Sequence, residues 1–459
     1  MSALIEHHAS DRRPIAIETT DPAHLAATRR RLGAAQRRCL TEVGFDAAAG
    51  SLALLHDTSG KLVRVLVGVD PHAPLDALAA LSMTLPAGTY RLAAESVLSD
   101  QRAAALGWAL GAYQFTRYRA ATRAPATLAV PAADLAPLQQ LVDATALVRD
   151  LVNTPTEDLG PEQLADAVKR VARTRRAKWR EWVGDALLDA NFPTIHAVGR
   201  ASHRAPRLVE LQWGKASDPK LVLVGKGVCF DTGGLNLKTG NGMRWMKKDM
   251  GGAAHALALA QLVMQAKLPV RLTLLIPTVE NSVAGSAIRP GDVITTRAGL
   301  QVEIDNTDAE GRLILCDALA YASEQQPELI IDFATLTGAA RVALGADLPA
   351  LFANRDELAE QLLAAGREVG DPLWRLPLWQ PYRQLLDSYL ADFVNTGASH
   401  QAGAITAALY LERFVAAPSA WLHLDTYAWN DADRPGRPCG GEAMGLRAVF
   451  ALLQSRYAH

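Results

Sequence analysis

Between Leu208 and Leu336, short apolar runs alternate with longer apolar stretches, and this alternation constrains the fold more than any other feature. The short runs have the length and aliphatic content of buried strands, whereas the longer stretches have the length of helices. Strands that are apolar on both faces are typical of an α/β sheet that helices cover on either side. The strands are predicted at 208–211, 221–228, 271–277 and 329–336, and the helices at 251–266 and 313–325.

The chain has 459 residues, which exceeds the size at which one hydrophobic core stops growing, so we expect two domains. The amino-terminal part combines strand-like runs, such as 61–69, with Ala-rich helical stretches, such as 100–115, and this mixture predicts a smaller α/β domain. Prolines interrupt the pattern over 122–137, which is typical of a linker. We predict an amino-terminal domain at 1–135, a linker helix at 136–158 that is broken at Thr154-Pro155, and a larger domain at 159–459.

The charges of the chain are balanced. The formal net charge is −1, and the residues up to Asp150 include 15 Arg and Lys against 14 Asp and Glu. Such a surface has no global attraction for nucleic acid or an anionic membrane. The first 30 residues contain no apolar core of signal-peptide length, and no later apolar run reaches 18 residues. We therefore expect a soluble, cytoplasmic protein with no membrane partner.

The cysteines are far apart in the sequence and form no C-x-x-C pair. This spacing matches neither a disulfide framework nor a zinc site. We predict that all four, Cys39, Cys229, Cys316 and Cys439, are buried free thiols.

Two carboxylates interrupt the apolar pattern in IDNTDAEGRLIL, Ile304 to Leu315. A polar turn is one explanation, because Asn, Asp and Gly favour turns. In an extended segment, however, residues i and i+2 point to the same side, so Asp308 and Glu310 could face one point. Two anions that close together are costly unless a cation lies between them.

A second polar segment, residues 225–254, follows a predicted strand and supplies Lys226, Asp231, Lys238 and Asp249. It lacks the third glycine of a dinucleotide loop and any Walker A pattern. Sites in α/β folds lie at the carboxyl ends of strands, so we expect these side chains to meet the two carboxylates of the first segment. Two divalent cations about 4 Å apart would neutralise four carboxylates, and oxygen ligands suit Zn, Mn or Mg. Spacing alone does not distinguish whether Lys226 and Lys238 are site residues or ordinary surface lysines.

The octapeptide NTDAEGRL, Asn306 to Leu313, together with GKGVCFDTGGLNLK and MKKDMGGAA, resembles the signature of the cytosolic leucyl aminopeptidase family. The resemblance extends from about Leu147 to the end of the chain, through LVRDLVNTPTEDLGPEQLA, FATLTGAA and GAITAALYLERFV. It implies a mixed-sheet, zinc-peptidase-like catalytic domain covered by helices, and a smaller amino-terminal α/β domain that is similar to a macro domain. It also implies a homohexamer.

The resemblance further implies a metal-dependent aminopeptidase that releases leucine-like residues from peptides with a free amino terminus. Two divalent metal ions, Zn²⁺ or Mn²⁺, would activate the water that attacks the first peptide carbonyl. The implied metal ligands are Lys226, Asp231, Asp249, Asp308 and Glu310.

Two further positions match family residues that act in catalysis without binding metal. Lys238 would stabilise the oxyanion, and Arg312 would hold a bicarbonate, because a guanidinium suits bidentate anion binding but cannot act as a base. The implied substrate pocket consists of Met246, Thr335, Leu336 and Gly338.

Two segments depart from the family pattern. Arg244-Trp245 lies where relatives often have an acidic residue, and HLDTYAWN, residues 423–430, lacks the usual glycine. We expect both segments to line the substrate pocket. Because the implied ligand set contains no histidine, we interpret His255 and His423 as packing residues.

A DNA-binding or scaffold role of the hexamer is the alternative function, because some bacterial relatives also bind DNA. Apart from Arg29 to Arg31, the amino-terminal part carries no basic stripe, so nucleic acid is not expected as a partner. A two-metal phosphoester hydrolase would share the cations, but such enzymes normally use histidines and phosphate-binding arginines that these motifs lack.

Overall fold

The computed structural model describes residues 3–6, 14–397, 399 and 401–458. The chain divides into two units, and each unit has its own sheet. The first unit contains residues 1–146 and 432–439, and the second contains residues 147–431 and 440–459. The predicted α/β class is confirmed, whereas the predicted boundaries at 135 and 158 stay predictions.

The first unit is built around a mostly parallel sheet. Its elements are, in chain order, β1 (Leu4–Glu6), β2 (Ile15–Thr20), α1 (Leu25–Arg31), α2 (Ala34–Glu42), β3 (Leu52–His56), β4 (Leu62–Gly68), α3 (Pro74–Ala77), α4 (Leu81–Thr84), β5 (Thr89–Leu92), α5 (Gln101–Gly111), β6 (Thr127–Val130) and α6 (Ala132–Asn153). The strands pair in the order β1-β6-β5-β2-β4-β3, and each pair is parallel except β3 with β4. The predicted strand at 61–69 and helix at 100–115 are present as β4 and α5.

Residues 122–137, predicted as a linker, instead contain a strand of this sheet. β6 pairs with both β1 and β5, and its residues Leu128 and Val130 are buried. Pro131 lies between β6 and α6, so proline separates two ordered elements here rather than marking a flexible connection. α6 ends at Asn153, as the Thr154-Pro155 pair predicted.

The second unit is a mixed sheet with helices packed against it. Its elements are α7 (Pro161–Arg175), β7 (Lys178–Val183), α8 (Ala186–Asp189), α9 (Pro193–Gly199), β8 (Arg207–Trp213), β9 (Lys220–Gly225), β10 (Gly227–Asp231), α10 (Gly240–Met243), α11 (Gly251–Gln265), β11 (Arg271–Asn281), β12 (Val293–Thr295), β13 (Gln301–Glu303), α12 (Glu310–Glu324), β14 (Leu329–Ala334), α13 (Gly338–Leu344), β15 (Ala350–Ala353), α14 (Asp356–Glu368), β16 (Trp374–Arg375), β17 (Phe393–Val394), α15 (Gly403–Glu412), β18 (Ala420–Asp425), β19 (Trp429–Asn430), β20 (Gly440–Gly441) and α16 (Leu446–Tyr457). Short 3-10 helices lie at Met246–Met250 and Gln380–Leu386. Within the described part of the chain, no helix is both long and apolar enough to cross a membrane.

The main sheet of this unit has the strand order β16-β15-β18-β14-β9-β11-β8-β7, with β10 paired to β11. The central strands β18, β14, β9 and β11 are parallel to one another, and β10 is parallel to β11. Their carboxyl ends therefore meet at one edge of the sheet, which is where α/β folds place their sites. The predicted strands correspond to β8, β9 with β10, β11 and β14, and the predicted helices correspond to α11 and α12.

The predicted strand at 221–228 is divided at Lys226, which lies between β9 and β10. The Lys226 backbone N–H donates to Phe333 O at 3.0 Å, and its carbonyl accepts from Ala253 N at 2.8 Å. A Cβ on Gly225 would lie 2.6 Å from Ala253 Cα, so glycine is required for α11 to approach this closely. The break places Lys226 at the carboxyl edge of the sheet.

The cysteine prediction is correct for two residues. Cys39, Cys229 and Cys316 are free thiols, and Cys229 and Cys316 are buried. Cys439 is exposed and Cys39 is partly exposed, so the prediction of burial is wrong for Cys439 and too strong for Cys39. Cys39 lies on α2, whose sequence AAQRRCLTE is mostly polar and buries little surface.

Both singled-out histidines lie in the core, as predicted. His255 Nδ1 lies 2.7 Å from Gly251 O, and His255 Nε2 lies 2.9 Å from Met444 N. Because Met444 N–H must donate, Nε2 accepts and Nδ1 carries the proton, so the ring is neutral. His423 forms a buried ion pair with Asp332.

We expect the neutral His255 ring to make stability depend on pH. Burial lowers the pKa of this imidazole to about 4, below its usual 6.5. The stability is therefore fully present above pH 6.5 and declines as pH falls toward 4, by about 2 kcal/mol between pH 7 and pH 5. Denaturant unfolding of the wild type and of His255→Gln at both pH values measures this. An equal pH effect in the two proteins would contradict the assignment.

Candidate active site

The two carboxylates of the octapeptide lie in a turn and a helix, not in an extended segment. α12 begins at Glu310, and Asp308 precedes it in a turn, where its backbone N–H donates to Asn306 Oδ1 at 2.8 Å. The alternation expected for an extended segment is therefore wrong, because Ala309, with φ −109° and ψ 41°, is the N-cap residue at which the chain enters the helix. The two carboxylates still meet, as the turn folds Asp308 back toward the first turn of α12.

Side-chain amides and a hydroxyl hold this turn in place. Thr307 N donates to Asn236 Oδ1, and Asn236 N donates to Thr307 Oγ1, both at 2.9 Å. On the other side, Asn395 Oδ1 accepts from Asp305 N at 2.8 Å, and Asn395 Nδ2 donates to Asn306 O at 2.7 Å. Sequence reasoning missed these asparagines, since a polar residue far along the chain gives no signal of the turn that it binds.

Asp231 ends β10 and faces the same point. Its Oδ1 accepts from Gly233 N and from Asn281 Nδ2, both at 2.8 Å. Its Oδ2 forms an ion pair with Lys238 Nζ at 2.8 Å, and Lys238 also contacts Asp308. Asp231 is thus fixed by the backbone on one oxygen and by a lysine on the other.

Lys226 forms the second cationic centre of the site. Its Nζ lies 2.8 Å from Asp249 Oδ2 and 3.0 Å from Glu310 Oε1, and it donates to Thr335 O at 2.9 Å. The ammonium therefore donates one hydrogen bond, to a backbone carbonyl, and forms ion pairs with two carboxylates. A Cβ on Gly311 would lie 2.6 Å from Lys226 Cε, so the glycine of the octapeptide gives this side chain its space.

Asp249 comes from the 3-10 helix at Met246–Met250, which leads into α11. Its Oδ1 accepts from Thr335 Oγ1 at 2.8 Å, and its Oδ2 faces Lys226. The structure thus brings together all the metal ligands predicted from the resemblance. We call the four acidic ones, Asp231, Asp249, Asp308 and Glu310, the carboxylate cluster.

The electrostatics of the cluster show strong mutual repulsion. Burial and the charge of Asp231 raise the pKa of Glu310 well above its ordinary value, and they raise the pKa of Asp308 to about 6. Burial disfavours the ammonium groups of Lys226 and Lys238, but the carboxylates outweigh it and raise the pKa of both. The cluster therefore favours bound positive charge.

The cluster has the donor set of a divalent cation site. One carboxylate oxygen from each of Asp231, Asp308 and Glu310 lies within 4.8 Å of the others. Glu310 is 1% exposed, and its Oε2 has no hydrogen-bond partner among the described residues. A buried oxygen without a partner costs about 1–3 kcal/mol. These residues therefore fit a divalent metal ion, whose charge would offset that cost.

Arg312 lies two residues after Glu310 on α12 but does not line the cavity beside the cluster. Its Nη1 donates to Asn395 O at 2.6 Å, and its Nε is buried without a hydrogen-bond partner among the described residues. The guanidinium thus holds Asn395, which in turn holds the turn that carries Asp308.

A cavity of about 640 Å³ opens beside the cluster. The four predicted substrate residues, Met246, Thr335, Leu336 and Gly338, all lie in its wall, as do Trp245, Thr426 and Tyr427 of the two departing segments. Arg244 does not line it. Asp425, which also belongs to the second departing segment, lies in the wall too. Two charged residues of the wall, Lys248 and Arg341, were missed by sequence reasoning.

Two family models together match most of the chain. The catalytic domain of the cytosol aminopeptidase family matches residues 146–450, and the N-terminal domain of M17 aminopeptidases matches residues 15–131. This chain belongs to the cytosol aminopeptidase family. The predicted function of a metal-dependent aminopeptidase is confirmed by this membership, and nothing in the comparisons supports the alternative DNA-binding or scaffold role.

Relatives within the family align over nearly the whole chain. A probable cytosol aminopeptidase of Stenotrophomonas maltophilia is 41% identical over 441 residues, covering 89% of this chain and 88% of the relative. The cytosol aminopeptidase structure from Coxiella burnetii is 48% identical, with a TM-score of 0.96 and 99% of each chain covered. The bottromycin maturation enzyme BotP, in its complex with Mn, is 35% identical, with a TM-score of 0.87, and covers 96% of this chain and 99% of its own.

We expect Gly311→Ala to damage the site more than the fold. The new methyl group would collide with Lys226 Cε and Nζ, which can move because they form the flexible end of a side chain. Activity should fall at least about tenfold, since a displacement near 1 Å at a site is costly, while the melting temperature changes by a few degrees at most. Gly285→Ala is the matched control, because a Cβ there meets no atom within 4 Å. Equal activity of the two variants would contradict the requirement for space at Gly311.

Proposed function

We propose that this enzyme removes the first residue of a peptide at the carboxylate cluster, with two divalent metal ions held by Asp231, Asp249, Asp308, Glu310 and Lys226. Lys226 would bind as a neutral amine, because its ammonium has no lone pair and must lose a proton before it can hold a metal. The observation that carries the proposal is the convergence of four carboxylates and two lysines at the carboxyl edge of the sheet, beside a cavity large enough for several residues. Divalent ions bound there would activate water and polarise the scissile carbonyl. Oxygen donors suit Zn²⁺ and Mn²⁺ alike, and BotP, a relative, is found with Mn.

Lys238 is the residue that we propose to stabilise the oxyanion. Its ammonium lies at the cavity wall, against Asp231 and Asp308. These two carboxylates hold its charge in place before the substrate arrives, so it needs no reorganisation when the carbonyl oxygen gains charge. Lys226 is not available for this purpose, because the proposal assigns it to the metal.

In this proposal, Arg312 acts mainly by positioning Asn395. Its bond to Asn395 O orients the residue that binds Asp305 and Asn306 and thereby supports Asp308. The bicarbonate expected at Arg312 stays a prediction. The Nε–H of Arg312 has no hydrogen-bond partner among the described residues, which favours an anion there. Its Nη1, however, already donates to a backbone carbonyl, so fewer donors remain for bidentate anion binding.

The substrate side chain would occupy the part of the cavity formed by Met246, Leu336 and Gly338. Ala340 and Leu348 extend this wall with further apolar surface. Burying a leucine side chain contributes roughly 2 kcal/mol, which supports the leucine-like preference. The homohexamer and the cytoplasmic location stay predictions.

We expect Glu310→Gln and Asp308→Ala each to abolish activity, with losses of at least about 100-fold. The reason is that each change removes one anionic ligand from the cluster and leaves a cation under-coordinated. Elemental analysis should show fewer than two divalent ions per chain in both variants. Glu324→Gln, an exposed carboxylate on the same helix, is the control and should keep both metal and activity. Full turnover by the wild type after exhaustive chelation would exclude metal-dependent catalysis.

We expect leucine p-nitroanilide to be cleaved and its N-acetyl form to resist cleavage by at least about 100-fold. A free α-amine fits beside a cluster of carboxylates and cations, and this contact sets the register in which the first peptide bond reaches the reacting groups. The nitrogen of an acetamide carries no positive charge, and its lone pair is delocalised into the carbonyl group. The two substrates are compared at equal metal loading. Similar rates of cleavage of the two substrates would show that the enzyme does not require a free amino terminus.

A further inference from the structure

Lys248 is a cation of the cavity wall that the proposed chemistry does not use. It belongs to the 3-10 helix Met246–Met250 and is 7% exposed. Its Nζ lies 4.9 Å from the ring centre of Tyr427. This ammonium makes no hydrogen bond or ion pair with any residue in the described part of the chain. A lysine this deeply buried normally has an anionic partner, so its bare ammonium is unusual.

The carboxylates nearest to Lys248 are bound by other groups. Asp249 accepts from Thr335 Oγ1 and pairs with Lys226. Asp425 accepts from the backbone N–H of Leu336 at 2.9 Å and from Thr337, through both its backbone N–H and its hydroxyl. Both anions act on Lys248 through space, but neither provides a direct contact.

A second cation approaches the same aromatic ring. Arg341 Nη1 donates to Tyr427 OH at 3.0 Å, and Arg341 Cζ lies 4.9 Å from the ring centre. Arg341 also lines the cavity, and the group to which it donates is the uncharged phenol of Tyr427. Of the cavity cations, Lys226 and Lys238 are paired with the cluster. Lys248 and Arg341 instead lie at Tyr427, and neither forms an ion pair with a carboxylate of the described residues.

We propose that Lys248, assisted by Arg341, binds a carboxylate of the substrate, so that the enzyme accepts acidic peptides in addition to leucine-like ones. A carboxylate beside Lys248 forms a charge-assisted hydrogen bond and supplies the anionic partner that the buried ammonium lacks. This inference rests on the proposed function, because it names a substrate class for the same cavity.

The carboxylate has two sources with the same chemistry. It is the side chain of an aspartyl or glutamyl amino terminus, or it is the terminal carboxylate of a dipeptide. Lys248 lies two residues after Met246, and Asp425 near it binds Leu336, so the cation borders the proposed side-chain pocket. This position favours the acidic side chain.

The test compares Lys248→Met with the wild type on paired substrates at equal metal loading. Glutamyl against leucyl p-nitroanilide isolates the side-chain carboxylate, and Leu-Gly against Leu-Gly amide isolates the terminal carboxylate. In Lys248→Met, the kcat/KM ratio of the acidic to the neutral member should fall at least tenfold in one pair, and that pair identifies the source. Ratios of kcat/KM cancel any general loss of activity.

Lys247→Met is the matched control. The neighbouring lysine donates to Asn153 O at 2.7 Å and does not line the cavity, so both substrate ratios should stay at their wild-type values. Lys248→Arg keeps the charge and should retain most of the preference. Arg341→Gln, at an exposed residue, should lower the same ratio about threefold, and it provides the test if Lys248→Met fails to fold.

Separate outcomes bear on the inference and on the proposed function. If the wild type cleaves leucyl p-nitroanilide but neither ratio changes in Lys248→Met or Arg341→Gln, the carboxylate site is wrong and the aminopeptidase proposal stands. If the metal-loaded wild type cleaves no substrate with a free amino terminus, the proposed function is wrong. A ratio that falls equally in Lys247→Met would also overturn the specific role of Lys248.

Discussion

The repulsion among four carboxylates is the constraint on which the rest of the site depends. Three of them, Asp231, Asp249 and Glu310, are buried, and unpaired anions at such distances would cost several kcal/mol each. Lys226 and Lys238 remove part of this cost by bridging separate pairs of carboxylates. The remaining negative charge fits the site for a divalent cation, as does Glu310 Oε2, which has no hydrogen-bond partner among the residues that the structure describes.

The scaffold holds these charges together through close contacts between backbone segments rather than through the packing of large side chains. Gly225 allows α11 to approach β9, and Gly252 allows the same helix to approach Phe333 O, where a Cβ would lie at 2.2 Å. Gly311 then leaves space for Lys226 at the start of α12. Each glycine thus allows a close backbone approach that sets the position of a charged group of the site.

The sequence was sufficient to predict what depends on local pattern and strand direction. The buried strands, the helices at α11 and α12, and the meeting of Lys226, Asp231 and Asp249 at one edge all follow from apolar runs and from parallel strands ending together. The geometry of Asp308 and Glu310 did not follow, because it depends on where α12 begins. Asn395 and Arg341 were also missed, since their partners lie far away in sequence, as the 83-residue separation between Arg312 and Asn395 illustrates.

The carboxylate cluster and the two cations Lys248 and Arg341 are held in the cavity by different means. The cluster serves the proposed hydrolysis, whereas the two cations serve the proposed substrate preference. Asp231 of the carboxylate cluster accepts from a backbone N–H just after the end of β10, so a substitution there disturbs the edge of the sheet itself. Lys248 and Arg341 instead converge on one side chain, the Tyr427 ring, after the end of β18. A change at these positions alters the charge of the wall while the cluster keeps its supports. A catalytic fold with this arrangement can therefore change its preferred substrate without rebuilding its metal site.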